Sequence, residues 1–574
     1  MKKKRILASL AGAHTRRKVL LATVSGVVTT NADMISYADR NLDSLAMITT
    51  KSYQVEPNPG NREPIITEPE PGCWGNSVGL RNPGMRQARE DLSGLTLKKL
   101  LNLSISGSSP EEFITLARYL VDTADLLELN FSCPHAADGY GSSIGGSWRI
   151  ASSYMEQIRS ELGDDFPLPI IPKLTPNTSD IRRIAESLLA SGADGLAAIN
   201  TVGPECYIEP HSGKPILQNS LGGRGGKSGH WVYRRAMEVI REVRRAVGEE
   251  PLLLGMGGVS TGAQAAEMIL AGADTVGIGS SFGKVDQVHW GSYLERIREE
   301  AEALLGGSTG KGIFTRPSSR SYLSTDRSME FTPYRMIGSE TRGEDVKIIT
   351  LKGRKTYQAG EFVFLWIPGV GEKPFSIALD DPLTFLFKRR GPFTEALWNC
   401  SPGDTIYMRG PYGKPVQVCR EPGAVLIAGG TGIAVLPALA RMLHTAGRDV
   451  QMFYGASDGS APAVPLGDEL TRFGPVELVF DEGTPGRVLD LALRELENRA
   501  VYLVGPEPFM DLAARRAAES GISGDSIYLS LEQPTFCGVG LCGACSCRGV
   551  LTCRQGTFVT WSQVTSEDQE EQHD

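Results

Sequence analysis

The chain has 574 residues and a formal net charge of −8. That length exceeds what one hydrophobic core serves and sets an expectation of about two to four domains. The acidic balance argues against general nucleic-acid binding, and no run of about 18 apolar residues is present to span a membrane.

At the start, Lys2, Lys3, Lys4 and Arg5 before Ile6 and Leu7 imitate a signal peptide. His14, Thr15, Arg16, Arg17 and Lys18 break the apolar run, which points away from export and towards the cytoplasm. From Val19 to about Leu305 one pattern repeats: a short apolar strand, a turn, an amphipathic helix. Strands are predicted at 19–23, 44–50, 102–105, 126–130, 170–174, 195–199, 251–255 and 275–278. Helices are predicted at 111–123, 179–191, 231–247 and 262–271. In the helix from Trp231, residues Val232, Ala236, Val239, Ile240, Val243 and Val247 recur at steps of three and four on one face, with Arg234, Arg241 and Arg245 opposite. Strand–helix alternation implies a parallel sheet, and eight units in about 300 residues fit a (β/α)8 TIM barrel better than an open sheet.

Active residues of such a barrel sit where strands end. Ser25, Lys51, Asn130 with Cys133, Lys173, Asn200 with Thr201, Gly257 with Gly258, and Gly279 with Ser280 all lie there. The two glycine turns at 257–258 and 279–280 read either as ligand-free tight turns or as a ring of backbone N–H groups round a phosphate, which suits FMN. Lys51 and Lys173 read either as surface lysines or as cations stabilising negative charge on a reduced flavin. Cys133 reads as a buried structural thiol or as a general base. Residues 136–141 form a glycine-containing loop suited to closing over a substrate.

These stretches resemble the catalytic chain of class 1 dihydroorotate dehydrogenases. The resemblance is carried by Lys51 and Ser52, Asn76 to Gly84 (NSVGLRNPG), Ser104 to Gly107 (SISG), Asn130 to Pro134 (NFSCP) and Lys173 to Asn177 (KLTPN). Asn200 and Thr201, Gly225 to Gly229 (GGKSG), and Gly257 with Gly258 complete it. It implies FMN in the barrel, held by Ser25, Lys51, Ser52, Asn130, Lys173, Ile199, Gly226, Gly257, Gly258, Gly279 and Ser280. It implies Cys133 as the base that takes a substrate proton. It implies a pyrimidine-like substrate bound by Lys51, Asn76, Gly79, Leu80, Asn130, His135, Asn200 and Thr201, whose amides suit a ring of alternating N–H and C=O groups. Two positions depart from the NAD-linked subgroup. His135 stands where asparagine usually follows Cys-Pro, and Ser104 replaces another asparagine. Cys-Pro-His resembles dihydropyrimidine dehydrogenases instead, so dihydroorotate and another dihydropyrimidine both stay open as substrates.

Residues 306–328 read as a linker. From about 329 to 420 the chain is rich in β-type residues with Gly and Pro turns, as in a small antiparallel barrel. Lys373, Pro374, Phe375 and Ser376 resemble the Arg-Pro-x-Ser flavin motif of ferredoxin-reductase-like proteins, with lysine for arginine. Thr394 keeps the family's second flavin turn, although Phe393 stands where glycine is common. FAD is the implied cofactor. Residues 421–530 read as an α/β nucleotide-binding domain, in which Gly429, Gly430 and Gly432 precede a helix able to receive a pyrophosphate. Asp458 would repel a 2′-phosphate, which favours NAD over NADP.

Residues 531–560 contain five of the ten cysteines. Cys537, Cys542 and Cys545 give C-x4-C-x2-C, followed by Cys553. This is plant-type [2Fe–2S] spacing, unlike the separated C-x2-C pairs of zinc sites. Cys547 competes with Cys553 as fourth ligand. Residues 561–574 read as a solvated acidic tail. This half resembles the electron-transfer chain of NAD-linked dihydroorotate dehydrogenase, fused here to the catalytic chain. The resemblance implies oxidation of dihydroorotate to orotate, with electrons passing FMN, [2Fe–2S], FAD and NAD, and admits a homodimer. Two alternatives accompany it: an NAD(P)H-dependent reductase of a uracil-like or other conjugated carbonyl, and a non-catalytic electron-transfer or redox-sensing protein.

Overall fold

The computed structural model describes residues 2–131, 142–306, 317–324, 328–456, 464–480 and 487–570. Two units result. One comprises Met1–Met329 with Val539–Ala544, the other Glu330–Gly538 with Cys545–Asp574.

The first unit is a closed eight-stranded barrel. Its strands are β1 (Leu21–Thr23), β2 (Leu45–Thr49), β3 (Leu100–Ile105), β4 (Leu126–Asn130), β5 (Ile170–Lys173), β6 (Gly195–Ala198), β7 (Leu252–Met256) and β8 (Thr275–Ile278), in closed order β1-β8-β7-β6-β5-β4-β3-β2. Neighbours are parallel throughout. The eight predicted strands are these eight, two with the ends as predicted and six with one or both ends moved by one or two residues. The predicted helices stand at Pro110–Tyr119, Ile181–Ala190, Tyr233–Val247 and Gly262–Leu270.

The barrel interior changes character along its axis. At the amino-terminal ends of the strands, Ala22, Met47, Leu126, Ile171, Ala197, Leu252 and Leu254 form an apolar plug with Ile6, Leu10 and Ala13. Helix Lys2–Leu10 supplies the first two. Lys3 pairs with Asp194 at 2.8 Å and Lys2 with Asp125 at 3.1 Å, so the basic start is a stitched helix on the barrel floor. Beyond it, His14 Nδ1 lies 2.6 Å from Asp274 Oδ1 and Nε2 lies 2.5 Å from Glu249 Oε2. At the carboxy-terminal ends the interior turns polar, with Ser104, Glu128, Asn130 and Lys173 all buried.

Two excursions from the barrel zip together into a four-stranded antiparallel sheet, ordered Ile66–Glu70, Cys73–Asn76, Arg224–Gly229, Val202–Cys206. Gly226 pairs with Asn76 and Ser228 with Trp74. This sheet is absent from the sequence reading. Residues 306–328, predicted as a linker, are docked in part: Ser319 N donates to Glu300 Oε1 at 2.9 Å, and Ser319 Oγ donates to Glu300 Oε2 at 2.5 Å. Ser319 is buried, and its hydroxyl also accepts from Gly262 N at 3.2 Å, at the start of a helix.

The second unit opens with a seven-stranded antiparallel sheet. Its long strand Thr332–Arg342 pairs first with Thr405–Tyr412 and then with Val346–Leu351. The sheet thereby curls over one core containing Val363, Leu365, Phe385, Phe387 and Met408. A six-stranded sheet follows, ordered 476–480, 449–456, 423–429, 499–504, 527–530 and 558–560, parallel except for the last strand. The predicted acidic tail begins as helix Trp561–Glu570. Trp561 and Val564, three residues apart, share the face that packs on this sheet's core.

Candidate active site

Most sequence-predicted residues of the first half converge. Ser25, Lys51, Ser52, Asn76, Gly79, Leu80, Asn130, Lys173, Ile199, Asn200, Thr201, Gly257, Gly258, Gly279 and Ser280 line one cavity of about 220 Å³ at the carboxy-terminal ends of the strands. Cys133, His135 and the loop at 136–141 lie outside the described residues, as does Asp458 of the second half. Gly226, expected to hold cofactor, is not in the cavity wall. Its backbone is engaged by the added sheet, where its carbonyl accepts from Asn76 Nδ2 at 3.2 Å.

The cavity floor is a hydrogen-bonded network. Asn130 and Lys173 are register partners at the ends of β4 and β5. Asn130 Nδ2 donates to Ser52 Oγ at 3.0 Å, and Asn200 Nδ2 donates to Asn130 Oδ1 at 3.4 Å. Ser52 Oγ lies 3.2 Å from Ser25 Oγ and 2.9 Å from Ser104 Oγ. Ser104 Oγ donates to Glu128 Oε1 at 3.1 Å, the same oxygen that Lys173 Nζ approaches at 3.4 Å. The replacement of asparagine by Ser104 therefore leaves a donor to a buried carboxyl.

Three cationic side chains join Lys173 in the cavity wall: Lys51, Arg81 and Lys227. Burial pulls the Lys51 amine down to about 8; the Cys542 thiol opposes this shift and the Arg81 cation adds to it. Arg81 Nη2 donates to Asn61 O at 3.0 Å and to Glu63 Oε1 at 3.2 Å. Lys227 pairs with Glu205 and lies 4.8 Å from the Trp231 ring centre. Sequence reasoning quoted the motifs containing Arg81 and Lys227 without assigning either residue. It missed Glu128 altogether, although an acid inside the apolar strand Leu126–Asn130 was a readable signal.

The glycine turns meet the requirement of a close cradle. Gly258 has φ +75°, and a Cβ there would stand 2.7 Å from Gly229 O and 2.9 Å from Tyr233 N. Only glycine keeps that path, so this corner of the cavity wall is bare backbone. Leu541 and Cys542, on the segment Val539–Ala544 of the same unit, also line the cavity. That segment is held by Val28 N to Leu541 O at 2.8 Å and by Thr30 Oγ1 to Cys542 O at 2.8 Å.

In the second unit, Lys373, Pro374, Phe375 and Ser376 lie on strand Gly371–Ser376. Phe375 packs on Phe393 with ring centres 6.0 Å apart, so the phenylalanine found in place of glycine fills core space. Thr394 Oγ1 accepts from Gly391 N at 3.0 Å and Arg390 N at 2.9 Å, at the start of helix Pro392–Asn399. Gly429 ends a strand, Gly430 and Gly432 fall in a 3-10 turn over Gly430–Val435, and the α-helix begins only at Leu436. A Cβ on Gly432 would sit 2.8 Å from Val504 O.

The cysteine loop brings three thiols together. Cys553 is fully buried, and its hydrogen bonds with Cys537 and Cys545, together with burial, push its thiol well above the ordinary range. Thiols so crowded are relieved when a metal replaces their protons. Among the described residues no three His, Cys, Asp or Glu side chains have the geometry to hold a metal ion. Arg409, 1 % exposed, donates to Cys537 O at 3.0 Å while its other edge holds both oxygens of Glu372 at 2.7 and 2.8 Å. Burial alone lowers the guanidinium pKa, and Glu372 and Tyr412 together more than offset this and raise it. Gly413 N donates to Cys553 O at 3.1 Å, so one strand end ties down both arms of the loop. Cys547 packs at the edge of the neighbouring apolar core.

The dihydroorotate dehydrogenase family profile matches residues 12–305. The dihydroorotate dehydrogenase B (NAD(+)) catalytic subunit of Methanothermobacter thermautotrophicus is 35% identical over 273 residues, covering 48% of this chain and 86% of that one. The corresponding subunit of Thermococcus kodakarensis is 37% identical over 234 residues, 41% of this chain and 74% of the relative. A solved chain of an NADH-dependent reduced ferredoxin-NADP oxidoreductase is similar at TM-score 0.36 and 24% identity, covering 42% of this chain and 95% of its own. With its closed parallel barrel, the chain belongs to the dihydroorotate dehydrogenase family and is an oxidoreductase acting on CH–CH bonds.

Proposed function

We propose that the chain oxidises dihydroorotate to orotate and passes the electrons through FMN, a [2Fe–2S] cluster and FAD to NAD. The observation that carries this reading is the single cavity lined by Lys51, Asn76, Asn130, Lys173 and Asn200 with Gly257 and Gly258. Its donor set fits both groups. The glycine corner offers backbone N–H groups to a phosphate, and the amides offer donors and acceptors to a pyrimidine ring.

Bound FMN supplies the hydride acceptor, and the cluster and FAD supply a one-electron to two-electron relay towards NAD. The remaining work falls to the chain. Asn76, Asn130, Asn200 and Thr201 orient the ring, and Lys51 with Arg81 attracts its carboxylate. Cys133 takes the proton as the new double bond forms, so that substrate loses one hydride and one proton. Lys373 to Ser376 with Thr394 would hold FAD, the turn at Gly429–Gly432 would hold NAD, and Cys537, Cys542, Cys545 and Cys553 would ligate the cluster.

Anaerobic mixing with dihydroorotate tests the reading. Rapid bleaching of flavin absorbance is expected, followed by reoxidation on adding NAD. Flavin that dihydroorotate leaves untouched, but that NADH reduces and a uracil-like compound reoxidises, would replace this reading with a reductase of neutral pyrimidines.

A further inference from the structure

Glu128 is fully buried in the barrel, 0 % exposed, on the strand that ends at Asn130 beside Lys173. Its Oε1 is shared by the Lys173 ammonium at 3.4 Å and the Ser104 hydroxyl at 3.1 Å. Its Oε2 is equally buried and has no hydrogen-bond partner among the described residues. Among those residues Glu128 is the only carboxylate paired with Lys173, itself 4 % exposed. The carboxyl also communicates with the cavity wall through hydroxyls, Ser104 to Ser52 at 2.9 Å and Ser52 to Ser25 at 3.2 Å. A buried carboxylate whose second oxygen meets no donor among the described residues keeps a strong field in the low-dielectric interior.

We propose that Glu128 is a positioning residue for the flavin site. It fixes the Lys173 ammonium at the cavity floor and cancels part of its charge. Glu128 thereby sets how strongly the barrel favours a reduced, negatively charged isoalloxazine over the oxidised one. The inference rests on the FMN reading above. It adds a residue that touches neither substrate nor cofactor and acts through Lys173.

The test is the equilibrium between bound flavin and a redox dye in the full chain, read spectroscopically without turnover. Glu128→Gln keeps the shape and removes the charge, leaving Lys173 uncompensated. The equilibrium should move towards reduced flavin by about 10- to 100-fold, the range for a charge several ångströms away at intermediate dielectric. Glu128→Asp should restore most of the wild-type position. In a Lys173→Met background the effect of Glu128→Gln should vanish, because a buried carboxyl without its cation takes up a proton and already equals the amide in charge. A merely structural role would weaken binding of both flavin forms equally and leave the equilibrium in place.

Ser104→Ala is the arm that survives a folding failure of Glu128→Gln, since it removes one hydroxyl only. It strips a donor from Glu128 Oε1, strengthens the negative field and should move the equilibrium towards oxidised flavin. Two results overturn the proposal while leaving FMN binding intact. One is an unmoved equilibrium in FMN-loaded variants; the other is a Glu128→Gln shift that persists undiminished in the Lys173→Met background. Wild-type chain that takes up no FMN overturns both readings.

Discussion

Burial holds the Lys51 amine near a pKa of about 8, so its charge is lost in the range where enzymes are assayed. The direction follows from the shift. Below about 8 the amine is charged and attracts a carboxylate; above it the amine is neutral. Orotate affinity should therefore weaken as pH rises through about 8, approaching tenfold per unit. Lys51→Met should bind weakly at every pH and lose the inflection; the same inflection in that variant assigns it to another group. The lowered pKa also costs the fold stability at lower pH, a cost relieved as pH rises from about 8 towards the ordinary lysine value of 10.5. Cys133→Ala should retain FMN and slow flavin reduction by substrate about 10²- to 10⁴-fold, the usual share of a general base. Stopped-flow rates equal to wild type would remove Cys133 from the mechanism.

At the scale of elements, helix Lys2–Leu10 stoppers the barrel floor. Leu10, 2 % exposed within that apolar plug, should cost about 2–5 kcal/mol when cut to alanine. Denaturant unfolding of the barrel checks this, and a change within about 0.5 kcal/mol would mark the helix as a surface ornament. The barrel strands were legible in the sequence because Leu126–Asn130 and its counterparts are short apolar runs between amphipathic helices. The four-stranded sheet was not. Its member Arg224–Gly229 reads RGGKSG, with no period of two to betray a strand, and its pairing comes from residues about 150 positions away. The docking of Ser319 was hidden because its partner Glu300 lies 19 positions back on a helix, and a polar Ser-rich stretch gives no sign of such a contact. The cavity residues were readable as polar or glycine residues at strand ends. Glu128 was readable as an acid inside an apolar strand, but its pairing with Lys173, 45 positions away on the next strand, was not.

Over the whole molecule, the cysteine loop is the test of the electron route. Cys553→Ser should lose the cluster, since its thiol meets Cys537 and Cys545 in a buried pocket. Cys547→Ser should keep it. Substrate should still bleach flavin in the Cys553 variant, whereas NAD-linked turnover should fall. Iron content and visible spectra of both variants decide the matter, and cluster loss in the Cys547 variant alone would reverse the ligand assignment. The catalytic subunit of Methanothermobacter thermautotrophicus matches 48% of this chain, and the second unit's part in turnover rests on such measurements.

The antiparallel sheet formed by Cys73–Asn76 and Arg224–Gly229 has a consequence for engineering. It fastens Asn76, on one excursion, to Gly226, on another, and both excursions wall the same cavity. Chimeras that cross over between these segments would match one parent's strand to the other parent's partner. Substrate preference should consequently transfer between homologues as a two-segment cassette, and libraries that shuffle either segment alone should be rich in misregistered, inactive progeny.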